Sequence, residues 1–135
     1  MIEPSHLPAA LADAVAAARP RFGGHVSDII YVESVASTMD TAAALAEAGG
    51  AHGLVVLAGH QTAGRGRRGR SWSSPAGAGL YFSTVVRPPV VNYVEGEPSL
   101  MGLLTLTAGL AVAEGVGQFT GLEASLKWPN DLFYG

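Results

Sequence analysis

Four arginines lie within six positions of the chain and are interspersed with glycines. The segment reads Gly64-Arg65-Gly66-Arg67-Arg68-Gly69-Arg70, and it holds half of the eight basic residues of a chain whose formal net charge is −3. Glycine lets the backbone approach a ligand closely, and the planar guanidinium group of arginine binds carboxylates and phosphates through paired hydrogen bonds. Four neighbouring positive charges repel one another unless an anion binds between them. The segment therefore predicts a binding site for an anion, mobile when empty and ordered when the ligand is bound.

The same segment allows other interpretations, and the residues around it argue against some of them. Gly64, Gly66 and Gly69 match the dinucleotide-binding pattern G-x-G-x-x-G, but the segment 71–77 that follows is not helix-forming, and the first acidic residue downstream is Glu95. No Walker A sequence is present. A solvated basic loop and an Arg-Gly segment that binds single-stranded nucleic acid remain alternatives. The acidic balance of the whole chain argues against a general affinity for polyanions.

The elements that must position this segment alternate between helix and strand along the chain. Apolar periodicity, caps and breakers predict helices over 7–19, 37–48 and 99–119, and strands over 28–33, 53–58, 80–86, 124–128 and from 132 onward. A surface loop is expected over 62–79 and a polar connection over 90–98. The fold class is therefore α+β, with α/β as the alternative. The long apolar helix is expected to be buried in the core, and the strand from 132 is expected to enter a hairpin whose partner does not follow it.

Composition excludes several classes of protein. The chain has no cysteine, so a disulfide framework, a zinc-thiolate site and a cysteine nucleophile are excluded. The N-terminus has no basic region before an apolar run, so it does not read as a signal peptide. The longest uncharged apolar stretch, 99–113, is shorter than a typical membrane span. The four histidines lack the spacing of metal ligands, so no metal-binding residue is assigned. A cytoplasmic protein with no membrane association is expected.

Three motifs together resemble those of the biotin protein ligases. The Gly-Arg segment, preceded by Gln61 and followed by Trp72, is similar to the signature loop of that family. Ser37-Thr38 resembles its Ser-Thr element, and Lys127-Trp128-Pro129-Asn130-Asp131 resembles its Lys-Trp-Pro-Asn-Asp motif. The motifs occur in the family's order and cover most of residues 31–133. The resemblance implies a mixed sheet with flanking helices, like the catalytic domain of biotin ligases and class II aminoacyl-tRNA synthetases.

The resemblance also implies a reaction with two steps. Members of the family join biotin to ATP to give biotinyl-5′-adenylate and pyrophosphate. They then transfer biotin to one lysine of the biotin carboxyl carrier domain of an acyl-CoA carboxylase. The expected ligands are therefore biotin, ATP and Mg²⁺, the expected partner is the carrier domain, and nucleic acid is not an expected partner.

The family's site residues can be transferred to the matching positions of this chain. Ser37, Thr38, Met39 and Gln61 are expected at the biotin ring system, although the family usually has a polar residue at the position of Met39. The remaining expected contacts are Arg65, Gly66 and Arg67 around the biotin tail, and Arg65, Arg67, Arg70, Trp72, Lys127 and Asn130 at ATP or the adenylate. Arg67, Lys127 and Asp131 are the expected catalytic residues, with Asp131 accepting a proton from or orienting the incoming lysine amine. Arg68 is expected to be solvated.

Two assignments have structural alternatives. Ser37 could act only as a helix N-cap, and Trp72 could anchor the loop in the core. Trp128 and Pro129 are expected to shape the turn and pack the core.

The chain also departs from the family pattern. The further lysine and the glycine-rich strands expected beyond the Asn-Asp motif, and the small C-terminal β domain, do not occur by Gly135. Residues 1–30 show no helix-turn-helix with a basic recognition helix. Residues 1–135 are therefore expected to form part of a catalytic domain without a DNA-binding domain, and activity of this chain alone is left open. The alternatives are a non-catalytic biotin- or protein-binding module and a lipoate-type ligase.

Overall fold

The computed structural model describes residues 4–88, 99–128 and 131–135, and the chain divides into two compact units, Met1–Pro89 and Val90–Gly135. The first unit contains two helices and four strands, and the second contains one helix and two strands. The helices are α1 (Ala9–Ala18), α2 (Thr38–Glu47) and α3 (Leu100–Thr120), and the strands are β1 (Asp28–Val35), β2 (Leu54–Arg65), β3 (Ser71–Ser74), β4 (Tyr81–Thr84), β5 (Ser125–Lys127) and β6 (Asp131–Phe133). Short 3₁₀ turns cover Arg19–Arg21 and Arg67–Gly69.

The sheet of the first unit is built around β2. Strand β1 runs parallel to β2, from the pair Asp28 and Leu54 to the pair Val35 and Gln61. On its other edge, β2 pairs antiparallel with β4 along its first half and with β3 along its second half. The parallel pair is joined through α2, as a parallel connection requires a crossover. The predicted α+β class with a mixed sheet is confirmed.

The core of the first unit lies between α2 and the sheet. Val56 of β2 is completely buried, and it clusters with Ala42 of α2, Leu54 and Val85. Burial of these apolar side chains is the main force that fixes α2 on the sheet. The first turn of α2 is consequently held against the sheet near the ends of β1 and β3.

Tyr31 of β1 is also buried, but it does not belong to the cluster around Val56. Its hydroxyl donates a hydrogen bond of 2.9 Å to Oε2 of Glu33. Burial raises the pKa of the Tyr31 phenol above its ordinary value of 10.0, and the neighbouring Glu33 carboxylate raises it further. The phenol therefore remains neutral and available as a donor throughout the physiological range.

The second unit consists of α3 and the β5–β6 hairpin. Ser99 caps α3 by accepting a hydrogen bond from the Gly102 amide, and Gly121 ends the helix in the left-handed conformation with φ of 73°. In the hairpin, Lys127 pairs with Asp131 and Leu126 pairs with Leu132. Leu126 packs against α3 at Gly109, where a Cβ atom in place of the glycine hydrogen would lie 2.6 Å from the leucine Cδ1 atom.

Helix α3 is unusually apolar for the exposure it shows. Its mean hydropathy over the most apolar window is 1.6, and none of that window is buried in the described structure. By length and composition alone the helix could cross a membrane, a test that core helices of soluble proteins also pass.

Two expectations from the sequence are wrong. The segment 62–79 is not one loop, because β2 continues to Arg65 and β3 covers Ser71–Ser74. Backbone hydrogen bonds hold these two strands together, with a register shift between Gln61 and Gly64. Their side chains do not alternate between apolar and polar, so the sequence did not predict strands there. The strand expected from 132 onward does belong to a hairpin, in which β6 pairs with the preceding strand β5. Helix α3 is not buried, because a short hairpin cannot cover 21 residues. The predicted connection over 90–98 lies outside the described residues.

Candidate ligand-binding site

A cavity of about 350 Å³ opens on the first unit, beside the start of α2. It is surrounded by the N-cap and first turn of α2 and by strands β2, β3 and β4. Its lining residues are Ser37, Thr38, Met39, Gln61, Arg65, Trp72, Ser73, Ser74, Leu80, Tyr81, Phe82 and Ser83. Pockets of this size hold small organic molecules.

Gln61 fixes the polar part of the cavity through both ends of its amide. Its Oε1 atom accepts hydrogen bonds from the Thr38 backbone amide at 2.8 Å and from Thr38 Oγ1 at 3.1 Å. Its Nε2 atom donates to Ser74 Oγ at 3.0 Å, and Ser83 Oγ lies 2.9 Å from Thr38 Oγ1. Because the Thr38 hydroxyl proton goes to Gln61, Ser83 donates to Thr38. Gln61 thus links α2 to β3, and Thr38 extends the network to β4.

Ser37 stands at the N-cap position of α2 but does not cap it with its side chain. Its backbone carbonyl accepts the Thr41 amide at 3.1 Å, while the free amide of Thr38 is satisfied by Gln61. Ser37 is only 1% exposed, and its hydroxyl has no hydrogen-bond partner among the described residues. An unsatisfied buried hydroxyl costs about 1–3 kcal/mol. The interpretation of Ser37 as only a side-chain N-cap is therefore wrong.

The arginine-rich segment is mostly a tight turn between β2 and β3. The Gly66 amide donates to the Arg70 carbonyl at 2.7 Å, and the Arg70 amide donates to the Arg67 carbonyl at 3.3 Å. Arg68 adopts the left-handed conformation with φ of 58°, which costs free energy in a residue with a Cβ atom. Backbone pairing therefore holds the turn while the side chains of Arg67, Arg68 and Arg70 remain exposed.

Arg65 is the arginine that lines the cavity, and it forms an ion pair with α2. Its Nε atom lies 3.0 Å from Oδ2 of Asp40, and both side chains are about half exposed. The negative charge of Asp40 also lies in the first turn of α2, where the helix dipole stabilises it. The cavity wall thus carries a guanidinium group that is already oriented by a neighbouring carboxylate.

The rim of the cavity is apolar in contrast to its hydroxyl-lined interior. Met39, Trp72, Leu80 and Phe82 are 54%, 62%, 61% and 47% exposed. Large exposed apolar side chains gathered around a concave site indicate a ligand or partner surface. The arrangement suits a molecule with a hydrogen-bonding ring, an aliphatic segment and an anionic end.

Comparison with known proteins assigns this architecture to a family. The model of the Biotin/lipoate A/B protein ligase family matches residues 31–135. The chain belongs to this family. It is 38% identical over 104 residues to the bifunctional ligase/repressor BirA of Bacillus spizizenii, and 37% identical over 106 residues to the biotin--[acetyl-CoA-carboxylase] ligase of Mycobacterium tuberculosis. These alignments cover 77% and 76% of this chain but only 30% and 38% of the relatives.

Solved biotin protein ligases also share the fold of this family member. The enzyme of Aquifex aeolicus in complex with biotin and ATP superposes with a TM-score of 0.63 at 37% sequence identity. The enzyme of Leishmania major in complex with biotinyl-5-AMP superposes with a TM-score of 0.65 at 34% identity. Each match covers 80% of this chain, and 42% and 47% of the respective structures. The chain therefore spans less than half the length of these biotin ligases.

Most of the residues expected at biotin in this family lie together in the structure. Ser37, Thr38, Met39, Gln61 and Arg65 all line the cavity. Gly66 lies beside it, where a Cβ atom would come 3.4 Å from Nε1 of Trp72. Trp72, expected at the adenylate, also lines the cavity, and its exposure contradicts the alternative that it is an anchor in the core.

The other expected residues are distributed differently. Arg67 and Arg70 lie in the turn and do not line the cavity. Lys127 and Asp131 pair with each other across the β5–β6 hairpin, in the second unit. Trp128 is 76% exposed, so its expected packing in the core is wrong for the described structure. Pro129 and Asn130 lie outside the described residues.

Sequence reasoning missed half of the cavity wall. The missed lining residues are Ser73, Ser74, Leu80, Tyr81, Phe82 and Ser83. Ser74 and Ser83 are hydrogen-bond partners of the predicted site residues, but isolated serines in a strand carry no signal in sequence. Only the antiparallel pairing of β3 and β4 with β2 brings them to the cavity.

Proposed function

We propose that the protein containing this chain is a biotin–protein ligase, which activates biotin with ATP to biotinyl-5′-adenylate and transfers biotin to a lysine of a carrier domain. The observation that carries the proposal is the buried Ser37 hydroxyl, unpartnered among the described residues in the wall of a cavity with a polar interior and an apolar rim. A group that costs free energy in the empty state gains a hydrogen bond when a polar ligand binds. The names of the relatives and the ligands of the solved structures support the choice of biotin.

The chemistry of biotin complements the cavity. Its ureido group offers one acceptor and two donors, which pair with hydroxyl groups such as those of Ser37 and Thr38. Its fused ring and aliphatic tail suit the apolar rim at Met39 and Trp72. Its carboxylate is the kind of group that a guanidinium such as that of Arg65 binds best.

Activation requires the biotin carboxylate oxygen to attack the α-phosphorus of ATP, with pyrophosphate leaving. Both reactants are anions, so positive charge and close backbone approach are the main requirements. We assign Arg65, Gly66 and Arg67 to the biotin tail and the α-phosphate, with Arg67 at the reacting groups. The remaining assignments are Arg70, Lys127 and Asn130 at the phosphates or adenylate, and Trp72 at the adenine.

Transfer requires the amine of the acceptor lysine to attack the acyl carbon, with AMP leaving. The amine must lose a proton, and the Asp131 carboxylate is the group that we assign to accept it or to orient the amine. Lys127 pairs with Asp131 across the hairpin, so two of the three residues that we assign to catalysis are neighbours on paired strands, and Arg67 is the third. We further propose that the acceptor is the biotin carboxyl carrier domain of an acyl-CoA carboxylase, as the name of the M. tuberculosis relative suggests.

Magnesium would be delivered with the nucleotide. No group of three histidine or acidic side chains is poised to hold a metal within the described parts of the chain. Mg²⁺ commonly keeps several waters and binds through substrate phosphates. We therefore assign no residue as a magnesium ligand. We also propose that the protein acts in the cytoplasm.

Replacement of Ser37 by alanine tests the proposal. In the full-length protein, Ser37→Ala is expected to weaken biotin binding about tenfold, measured by titration calorimetry, because one ligand hydrogen bond is lost. The same change removes an unsatisfied polar group, so the free energy of unfolding in urea is expected not to fall. Ser27→Ala, at an exposed serine outside the cavity, is the matched control.

The substrate and the catalysis are tested separately. Incubation with ATP, magnesium, labelled biotin and a carrier domain is expected to label the carrier. Binding of biotin without label transfer would identify a binding module, and equal use of lipoate would identify a lipoate-type ligase. Unchanged biotin affinity in Ser37→Ala would contradict the assignment of the cavity.

A further inference from the structure

Asp40 links the cavity to the helix that supplies its polar wall. It lies in the first turn of α2, three residues after Ser37, and it is not a lining residue of the cavity. Its Oδ2 atom lies 3.0 Å from Nε of Arg65, which does line the cavity. The ion pair therefore connects the guanidinium group in the wall to the end of α2 that carries Ser37 and Thr38.

The contact uses only one of the donors of Arg65. A guanidinium group has five N–H donors, of which Nε carries one and the Nη1 and Nη2 atoms carry four. Asp40 lies against Nε, at 3.0 Å. The Nη1 and Nη2 atoms form the edge of the guanidinium group that does not include Nε. An anion that enters the cavity can therefore bind at this edge while Asp40 stays at Nε.

We propose that Asp40 is a positioning residue that holds Arg65 so that its Nη1–Nη2 edge receives the anionic oxygens of the ligand. This inference rests on the proposed function, in which the ligand carries a carboxylate as biotin and a phosphate as the adenylate. The helix dipole favours a negative charge in the first turn of α2, where Asp40 lies. An exposed ion pair contributes little to stability. Its effect is therefore expected in ligand binding rather than in folding.

A competing role of Asp40 predicts the opposite sign. If Asp40 merely occupied Arg65 until a ligand displaced it, removal of the carboxylate would strengthen the binding of anions. Three variants separate the two roles. Asp40→Asn keeps an acceptor oxygen of the same size without the charge, Asp40→Ala removes both, and Asp13→Ala removes an exposed acid from α1 as the matched control.

The experiment measures dissociation constants of the full-length protein for biotin, for its neutral amide, and for biotinol adenylate, in which a phosphodiester replaces the acyl phosphate. Asp40→Ala is expected to raise the dissociation constant for an anionic ligand about fivefold. The dissociation constants of Asp40→Asn and Asp13→Ala are expected to remain within about twofold of the parent protein. Binding of the neutral amide is expected to be the same in all variants. An effect on biotin identifies the carboxylate as the anion that Arg65 meets, and an effect confined to biotinol adenylate identifies the phosphate.

Several outcomes would overturn the inference. Unchanged or tighter binding of both anionic ligands in Asp40→Ala contradicts a positioning role. An equal loss of affinity for the neutral amide contradicts it too. Failure of the parent protein to bind either biotin or its amide would instead refute the proposed function. Urea unfolding of each variant, expected to match the parent protein closely, shows that a loss of affinity does not come from a loss of folding.

Discussion

Gly64 shows how closely the backbone approaches the cavity wall. It is buried opposite Trp72, and a Cβ atom at this position would lie 2.9 Å from both Ser74 Oγ and the Trp72 carbonyl, and 3.1 Å from Gln61 Nε2. Two of these neighbours belong to the hydrogen bond that fixes the Gln61 amide. The sequence placed Gly64 in a surface loop, but the structure places it in β2, where close packing of the strands beside Gln61 requires a glycine.

We predict that Gly64→Ala displaces β3 and breaks the bond between Gln61 and Ser74. Overpacking of this kind costs about 1–3 kcal/mol, and biotin affinity is expected to fall by about an order of magnitude. Calorimetric titration and urea unfolding measure the two effects. Gly77→Asn is the control, because its φ of 73° suits asparagine and nothing lies within 4 Å of a Cβ there. Parent-like binding by Gly64→Ala would show that the wall can relax.

The residues of the site were predictable to different degrees. Ser37, Thr38 and Gln61 were found through motif resemblance, and the structure places them in one cavity. Their hydrogen-bonded neighbours Ser74 and Ser83 were not found, because pairing between strands distant in sequence brings them there. Such contacts have no local signature, since strand register depends on the whole sheet.

Helix α2 is held at both ends by side chains that follow it far along the chain. Its glycines and its polar start predicted the bounds well, but not these partners. Gln61 accepts the amide of Thr38 at the start. At the end, Arg87 donates from Nε and Nη2 to the Gly50 carbonyl, at 2.9 and 2.8 Å, and from Nη2 to the Ala46 carbonyl at 2.6 Å. The Ala46 carbonyl also accepts the Gly49 amide at 3.2 Å, so Arg87 adds charge-assisted bonds that join the end of α2 to the turn after it.

We predict that Arg87→Ala lowers the free energy of unfolding by about 1 kcal/mol, because exposed charge-assisted bonds to helix carbonyls contribute modestly. Arg87→Lys is expected to recover only part of this loss, since an ammonium group cannot reproduce the two-pronged contact. Thermal and urea unfolding are the measurements, and Arg19→Ala is a control at an exposed arginine outside α2. Equal stability of all three variants would show that Arg87 does not hold the helix.

The two units differ in how many of their side chains are buried. The first unit has a core around Val56, whereas no described residue of α3, β5 or β6 is buried. The length and apolar character of α3 were predicted from sequence, but its exposure was not, because burial depends on what packs against the helix. The relatives are more than twice as long as the part that this chain matches.

We predict that the apolar surface of α3 is covered in the full-length protein and exposed in the 135-residue polypeptide. Leu110, 55% exposed here, is the diagnostic position. In the polypeptide, Leu110→Lys is expected to reduce binding of a hydrophobic dye with little change in stability. In the full-length protein, it is expected to lower the free energy of unfolding by about 2 kcal/mol or more, because an unpaired charge is then forced into an apolar interior. Urea unfolding and dye fluorescence compare the two proteins directly.

The full-length protein is also expected in the soluble fraction after ultracentrifugation. Recovery only with detergent, together with tolerance of Leu110→Lys, would indicate instead that α3 contacts lipid.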